Sequence, residues 1–276
     1  MLASCLTRRP FTAARGPTAP WNYAVRPKAR VAVMAGVALQ GKQVVVTGAS
    51  QGLGLEFTKQ LLDKGNTVVA AVRNPSAGLL QLEQAAPEGR LHVTQLDVSS
   101  TASITRWAGG LRDNCRGLRH VDVLINNAGV YGSKVDLKTV TEQDMIACFK
   151  VNTIGPLVVV QQLLAAGLIG GFGGKTLIAN VSSKVGSVDD NRGGGGYPYR
   201  ASKSALNIVN KSMSIDLAGD GVTCVLLHPG YVRTNMTGGQ GLIDVQESVA
   251  GMLGVLESSK PLNGEWYDFK GEKIPW

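Results

Sequence analysis

Val44-Val45-Val46-Thr47-Gly48-Ala49-Ser50-Gln51-Gly52-Leu53-Gly54 is a β-branched run that breaks into a glycine-rich turn, after which Leu55, Thr58 and Leu61 recur at helical spacing. Strand, tight turn and helix in that order bring free backbone N–H groups and the positive end of a helix to one point. Glycine lets a diphosphate approach the main chain there, because no Cβ stands in the way. Gly48, Ser50, Gln51, Gly52, Leu53 and Gly54 are therefore candidate cofactor-binding residues. A tight turn without a ligand has the same look, so the rest of the chain must decide.

Further short apolar runs alternate with longer helical stretches. Strands are expected at Thr67 to Val72, Leu91 to Leu96, Val121 to Ile125, Thr176 to Val181, Val222 to Leu227 and Glu265 to Phe269, with helices near 52–64, 101–115, 141–168, 199–218 and 246–257. Strands that are apolar without alternation belong to a sheet covered on both faces, hence to parallel strands with helices on each side. The expected fold is one doubly wound parallel α/β sheet over residues 36–276, without repeat or internal linker. The 276 residues are 44% hydrophobic and 17% charged, the composition of a folded chain.

The formal charge of +8 is unevenly placed. Arg8, Arg9, Arg15, Arg26, Lys28 and Arg30 precede Lys42, and the first carboxylate is Glu56. Without these six the remainder carries only +2, which gives no electrostatic case for nucleic acid or anionic lipid. Residues 1–35, rich in Ala, Arg, Ser, Thr and Pro and lacking an apolar span, read as an organelle transit peptide. Pro10, Pro17, Pro20 and Pro27 interrupt an amphipathic helix, so a chloroplast is preferred to a mitochondrion. Cys5, Cys115, Cys148 and Cys224 and the histidines His92, His120 and His228 lie singly, without metal-ligand spacing, and no metal is expected.

The second strand ends Ala70-Ala71-Val72-Arg73-Asn74, where an NAD site would carry a carboxylate for the ribose 2′-OH. A guanidinium there suits a 2′-phosphate instead, so NADPH/NADP+ is the expected cofactor. Gln51 stands where a second basic residue would have strengthened that reading.

With the turn Thr-Gly-x-x-x-Gly-x-Gly in place, the chain resembles the short-chain dehydrogenase/reductases over residues 43–276. The resemblance rests on motifs in order: Asp97-Val98, Asn126-Asn127-Ala128-Gly129, Asn152 in a long helix, and His228-Pro229-Gly230-Tyr231-Val232-Arg233-Thr234 after the sixth strand. It implies that Asp97 and Val98 lie by the adenine ring, that Asn127, Ala128 and Gly129 line the cofactor cleft, and that Pro229, Gly230, Val232 and Thr234 reach the nicotinamide end. The run from Gly264 to Trp276 looks like the end of the carbonyl reductases that resemble sniffer and the bacterial C-factor.

Tyr199 and Lys203 are four residues apart and share one face of a helix. An ammonium so placed is expected to lower the pKa of the phenol toward working pH and make Tyr199 a proton donor. Ser183, which opens Ser183-Lys184-Val185-Gly186, can donate to the substrate oxygen. The resemblance further gives Lys203 the nicotinamide ribose, and Asn152 a water through which Lys203 regains its proton. Tyr197 and Ser182 stand beside the chosen pair, and only Tyr199 has a lysine four residues on. Asn235 to Gly241 is the expected lid, and Gly193 to Gly196 is either a substrate-side loop or an insertion without influence on selectivity.

The expected reaction is NADPH-dependent reduction of a small-molecule aldehyde or ketone by a homodimer or homotetramer formed through the helices near 141–168 and 199–218. Two alternatives stand beside it: an alcohol dehydrogenase on the same scaffold, and a non-catalytic NADP-binding redox sensor.

Overall fold

β1 (Gln43–Thr47) pairs in parallel with β2 (Thr67–Val72) on one side and with β4 (Val123–Asn126) on the other, through Val45↔Val69 and Val45↔Leu124. This pairing is the centre of a seven-stranded sheet of order β3-β2-β1-β4-β5-β6-β7, seen in a computed structural model that describes residues 36–171 and 174–276. The outer strands are β3 (Leu91–Gln95), β5 (Thr176–Val181), β6 (Val222–His228) and β7 (Trp266–Asp268), and every pair is parallel. The expected strands are all present. The expected leader, residues 1–35, lies outside the described residues.

Period-two alternation explains the unbroken apolar runs. Val44 and Val46 pack with Val68 and Ala70 on one face, where α1 (Gly52–Asp63) and α7 (Val245–Glu257) contribute Phe57, Leu61, Val249 and Leu253. Val45 and Val69 face the other side, against Ile104 and Leu111 of α3 (Thr101–Asn114) and Val159 and Leu163 of α5 (Gly155–Ala165). α6 (Tyr197–Asp216) lies on that second face beside β6. Successive strands build outward from β1 in one direction and from β4 in the other. A crevice therefore opens where their carboxyl ends diverge, which is where doubly wound sheets bind ligands.

Two helical features differ from the expectation. α2 (Ala77–Ala85), capped by the Ser76 hydroxyl accepting from the Leu79 amide at 3.1 Å, was not expected, because Leu79 is its only buried side chain and it shows no apolar stripe. The long helix expected over 141–168 is α4 (Glu142–Phe149) and α5 joined by a π-helical turn, Lys150–Ile154. Together, Glu142–Ala165 is long and apolar enough to cross a membrane by length and composition, yet its apolarity is accounted for by Val159, Val160 and Leu163 packing on the sheet.

Candidate active site

Thr47 closes the first strand by accepting at its hydroxyl from the amides of Asn127 and Ala128, both at 3.1 Å. The Asn127 side chain answers by donating to the carbonyls of Thr47 and Gly48. The ends of β1 and β4 are thus tied together beneath the glycine turn. Two of its glycines are required by closeness. A Cβ on Gly48, at φ +66°, would lie 2.8 Å from Ala128 Cα, and one on Gly54 would lie 2.2 Å from the Gly48 carbonyl oxygen. Gly52, where a Cβ would meet only Thr234 at an ordinary contact distance of 3.7 Å, sits at the start of α1, where amide groups are unpaired.

These residues form one end of a cleft of about 660 Å³ that also takes in Arg73, Asn74, Asp97, Val98, Asn127, Ala128 and Gly129. Its other end is formed by Tyr199, Lys203, Pro229 and Thr234. The length and glycine lining fit a dinucleotide, with the diphosphate at the start of α1. Arg73 is exposed at the cleft edge and, among the described residues, has no carboxylate within ion-pairing distance. The Asp97 carboxyl is held below its ordinary value by Ser99, whose hydroxyl and amide donate at 2.7 and 2.9 Å, with a smaller contribution from the Arg73 charge. A guanidinium free of local partners at that edge is what a 2′-phosphate requires.

At the chemical end, α6 starts on Gly196 at φ +57° with Pro198 in its first turn, where proline costs no helical hydrogen bond. That start places Tyr199 at the mouth and turns Lys203 inward, 4% exposed. The Lys203 Nζ donates to the Val181 carbonyl at 2.8 Å and stands 5.8 Å from the Tyr199 ring centre. Burial lowers its pKa to about 8. The expected lowering of the phenol pKa by this ammonium is not what the protein alone displays. Burial raises Tyr199 to about 12, the Ser183 hydroxyl draws it partly back, and Tyr131 adds to the rise. The ammonium is engaged by Val181, and the phenol feels its hydrophobic surroundings more strongly.

Asn152 is fully buried in the π-helical turn. Its Nδ2 donates to the Val130 carbonyl and the Ser202 hydroxyl, both at 2.9 Å, while its Oδ1 accepts from the Val130 amide at 2.9 Å. Both amide hydrogens are therefore spent on protein partners, and only one Oδ1 lone pair remains for the expected water. Such a turn inserts one residue into a helix, which aims Asn152 at the loop after β4.

Two expected cofactor residues do not face the cleft. Gly230, at φ +85°, is required because a Cβ there would lie 2.9 Å from the Phe269 ring. Val232 is buried and bridged to Ile243. Both hold the base of the segment expected to be a lid, where Arg233 and Asp244 also form an ion pair at 2.8 Å. Ser183 and Asn152 lie just outside the lining as well, Ser183 next to the Tyr199 phenol. Three further contributors lie outside the motifs read from the sequence. Tyr131 stacks on Tyr199 with ring centres 4.9 Å apart, Asn235 of the lid donates to Gln51 at 3.1 Å, and the main-chain oxygen of Trp276 accepts from Asp189 and Ser187 beyond the serine. Only Gln51's partner was approachable from the sequence, through the expected lid.

Fold and site define a dinucleotide-binding α/β domain whose cleft ends on a Ser, Tyr and Lys group. The model of the family described as short chain dehydrogenase matches residues 42–241, and the chain belongs to that family of oxidoreductases. C-signal of Myxococcus xanthus is 44% identical over 157 residues, 56% of this chain and 93% of the relative. The structure of an NADPH-bound carbonyl reductase from chicken fatty liver is 33% identical, with TM-score 0.75 over 86% of this chain and 100% of that one. The carbonyl reductase Sniffer of Drosophila melanogaster is 27% identical, with TM-score 0.75 over the same shares.

Proposed function

We propose that the protein reduces an aldehyde or ketone to the alcohol with NADPH, Tyr199 supplying the proton. The observation that carries this reading is the meeting of the Tyr199 phenol with the Ser183 hydroxyl at one end of the cleft whose other end is the glycine turn. NADP(H) in that cleft supplies or accepts a hydride. Arg73 would hold its 2′-phosphate, the turn its diphosphate, and Lys203, with two ammonium hydrogens left after Val181, the nicotinamide ribose. Ser183 donates a hydrogen bond to the carbonyl oxygen and to the alkoxide that forms from it. The alkoxide then takes the phenolic proton of Tyr199 and leaves as the alcohol.

Burial that raises the phenol to about 12 keeps it protonated at neutral pH, the form a proton donor needs. Oxidation of an alcohol by the same groups would run through the phenolate, with the net direction set by the coenzyme ratio. Resemblance to an NADPH-bound carbonyl reductase supports reduction. The deciding experiment is a panel of aldehydes, ketones and alcohols with NADPH, NADH and the oxidised coenzymes on protein starting at Ala35. Turnover of alcohols alone would reverse the direction, and coenzyme binding without any turnover would make the protein a sensor.

The same proposal places the enzyme in an organelle, the chloroplast before the mitochondrion, on the composition of residues 1–35. N-terminal sequencing of the native protein checks it: an intact Met1 on most molecules refutes removal of a leader. A homodimer or homotetramer through α4, α5 and α6 is supported by Ile208 and Ile215, 64% and 65% exposed on α6. Light scattering that gives a monomer mass would end that reading.

A further inference from the structure

The last two residues of β5 and the residue that follows the strand are each held by a different side chain of α6. Asn180 donates from Nδ2 to Asn210 Oδ1 at 2.8 Å, the Val181 carbonyl accepts from Lys203 at 2.8 Å, and the Ser182 hydroxyl donates to Asn207 Oδ1 at 2.7 Å. Positions 203, 207 and 210 share one helix face, so the strand end lies along a single polar stripe. Asn126 of β4 extends this arrangement by donating to Asn180 Oδ1 at 2.9 Å. Asn180, Asn210 and Ser182 are at most 2% exposed and Asn207 is 5% exposed, which is costly for side chains so polar. The contact continues past Ser183: a Cβ on Gly186 would lie 2.8 Å from Lys203 Cβ, and the Gly186 carbonyl accepts from the Ser204 hydroxyl at 2.7 Å.

We propose that Asn207 and Asn210 are positioning residues, which with Lys203 lock β5 onto α6 and thereby fix the separation of Ser183 from Tyr199. Ser183 follows Ser182 directly, and Tyr199 lies one turn before Lys203, so the two reacting side chains flank the lock. An apolar seam would let helix and strand slide by fractions of a turn at little cost. Directed hydrogen bonds to the consecutive residues Asn180, Val181 and Ser182 admit one register only. The Asn210 Nδ2 group is buried without a partner among the described residues, a cost the fold bears while Oδ1 holds Asn180. The inference rests on the proposed roles of Ser183 and Tyr199, whereas the lock itself is a matter of structure.

The test compares wild type with Asn207→Leu, and with Asn207→Leu combined with Ser182→Ala. Asn207 does not line the cleft, whereas Ser182 does, so Ser182→Ala alone is measured as the control for any direct effect of that hydroxyl. The single variant orphans the Ser182 hydroxyl and is expected to lose stability. The pair replaces both partners by apolar groups and should return the denaturation midpoint toward wild type. With Ser183 released, the pair should still lose turnover by about tenfold to a hundredfold, at an NADPH dissociation constant close to wild type. Amide exchange over 181–186 and 197–204 should rise several-fold in the pair while residues 44–47 and 67–72 keep their protection. Recovery of turnover together with the midpoint, unchanged exchange at 181–186, or an equal rise in all segments would each overturn the inference. Exchange needs no substrate, so a wild type inactive on every carbonyl would overturn the proposed reaction while the lock is still decided.

Discussion

Lys203 spends one of its three ammonium hydrogens on the main-chain oxygen of Val181, 2.8 Å away, and does so while almost wholly buried. The charge is retained at neutral pH against the desolvation that lowers its pKa to about 8. Lysine in the unfolded chain titrates near 10.5. Between these values the unfolded state binds a proton that the folded state does not, so stability rises with pH across that window. Below it, the buried charge costs on the order of 3 kcal/mol relative to exposed lysine. Unfolding of wild type and Lys203→Met in urea at pH 7, 9 and 10 checks this. The wild type should gain on the variant from pH 8 upward, and a constant difference would show that Lys203 titrates normally.

Activity should move in the opposite sense. Tyr199, raised to about 12, stays protonated throughout, so the reductive rate is expected to fall as pH rises through about 8, where Lys203 loses its charge. Initial rates at saturating carbonyl and NADPH from pH 6 to 10 measure it. A rate that climbs above pH 8 would take Lys203 out of its proposed role.

Tyr199→Phe removes the proton donor and little else, since Tyr131 can stack on phenylalanine as on tyrosine. The expected loss in turnover is about 10²–10⁴-fold, the usual worth of a positioned acid, with NADPH binding preserved. Near-normal turnover would hand the role to Tyr197, which lies two residues earlier and is partly exposed.

Gly54 and Gly52 differ in why they are glycine, and substitution separates the reasons. A Cβ at Gly54 meets the Gly48 carbonyl oxygen at 2.2 Å and Asn127 Nδ2 at 2.6 Å, so Gly54→Ala must push the turn apart. It is expected to cost about 1–3 kcal/mol and to abolish coenzyme binding. Gly52→Ala has room, its nearest neighbour being Thr234 at 3.7 Å, and pays only for φ +54°, about 1–2 kcal/mol. Melting curves with and without NADPH distinguish the two: loss of the ligand-induced shift in Gly54→Ala alone is the expected pattern.

The strands were legible because residues such as Val44 to Val46 face helices on both sides and leave no polar alternation to confuse them. Tyr199 and Lys203 were legible because four residues in a helix are one turn. What escaped notice depends on contacts between distant segments. Gly230 reads as part of a cofactor motif, yet its neighbours are Phe269 and Ile243. Asn207 and Asn210 look like ordinary helix-surface residues until β5 is laid against them. The π-helical turn escaped because its five residues, Lys150–Ile154, are too few to show a period of their own.

Arg73 bears the coenzyme prediction. It lies where the second strand ends, exposed on the cleft edge, close enough for its charge to favour the Asp97 carboxylate yet without an ion pair of its own among the described residues. A guanidinium can meet a 2′-phosphate with two parallel hydrogen bonds, each charge-assisted contact worth roughly 1.5–3 kcal/mol. Preference for NADPH over NADH should therefore be at least about tenfold, since about 1.4 kcal/mol is one decade. Arg73→Asp removes the contact, repels the phosphate and offers the ribose diol an acceptor, so the preference should fall steeply or invert. Gln51 accepts from Asn235 at its side-chain oxygen, which leaves its Nε2 hydrogens as an uncharged donor in the glycine turn. Kinetic constants of both proteins with both coenzymes decide the matter: a ratio unchanged by the substitution would transfer the reading of the phosphate to Asn74 or to the turn around Gln51, both on the lining of the cleft.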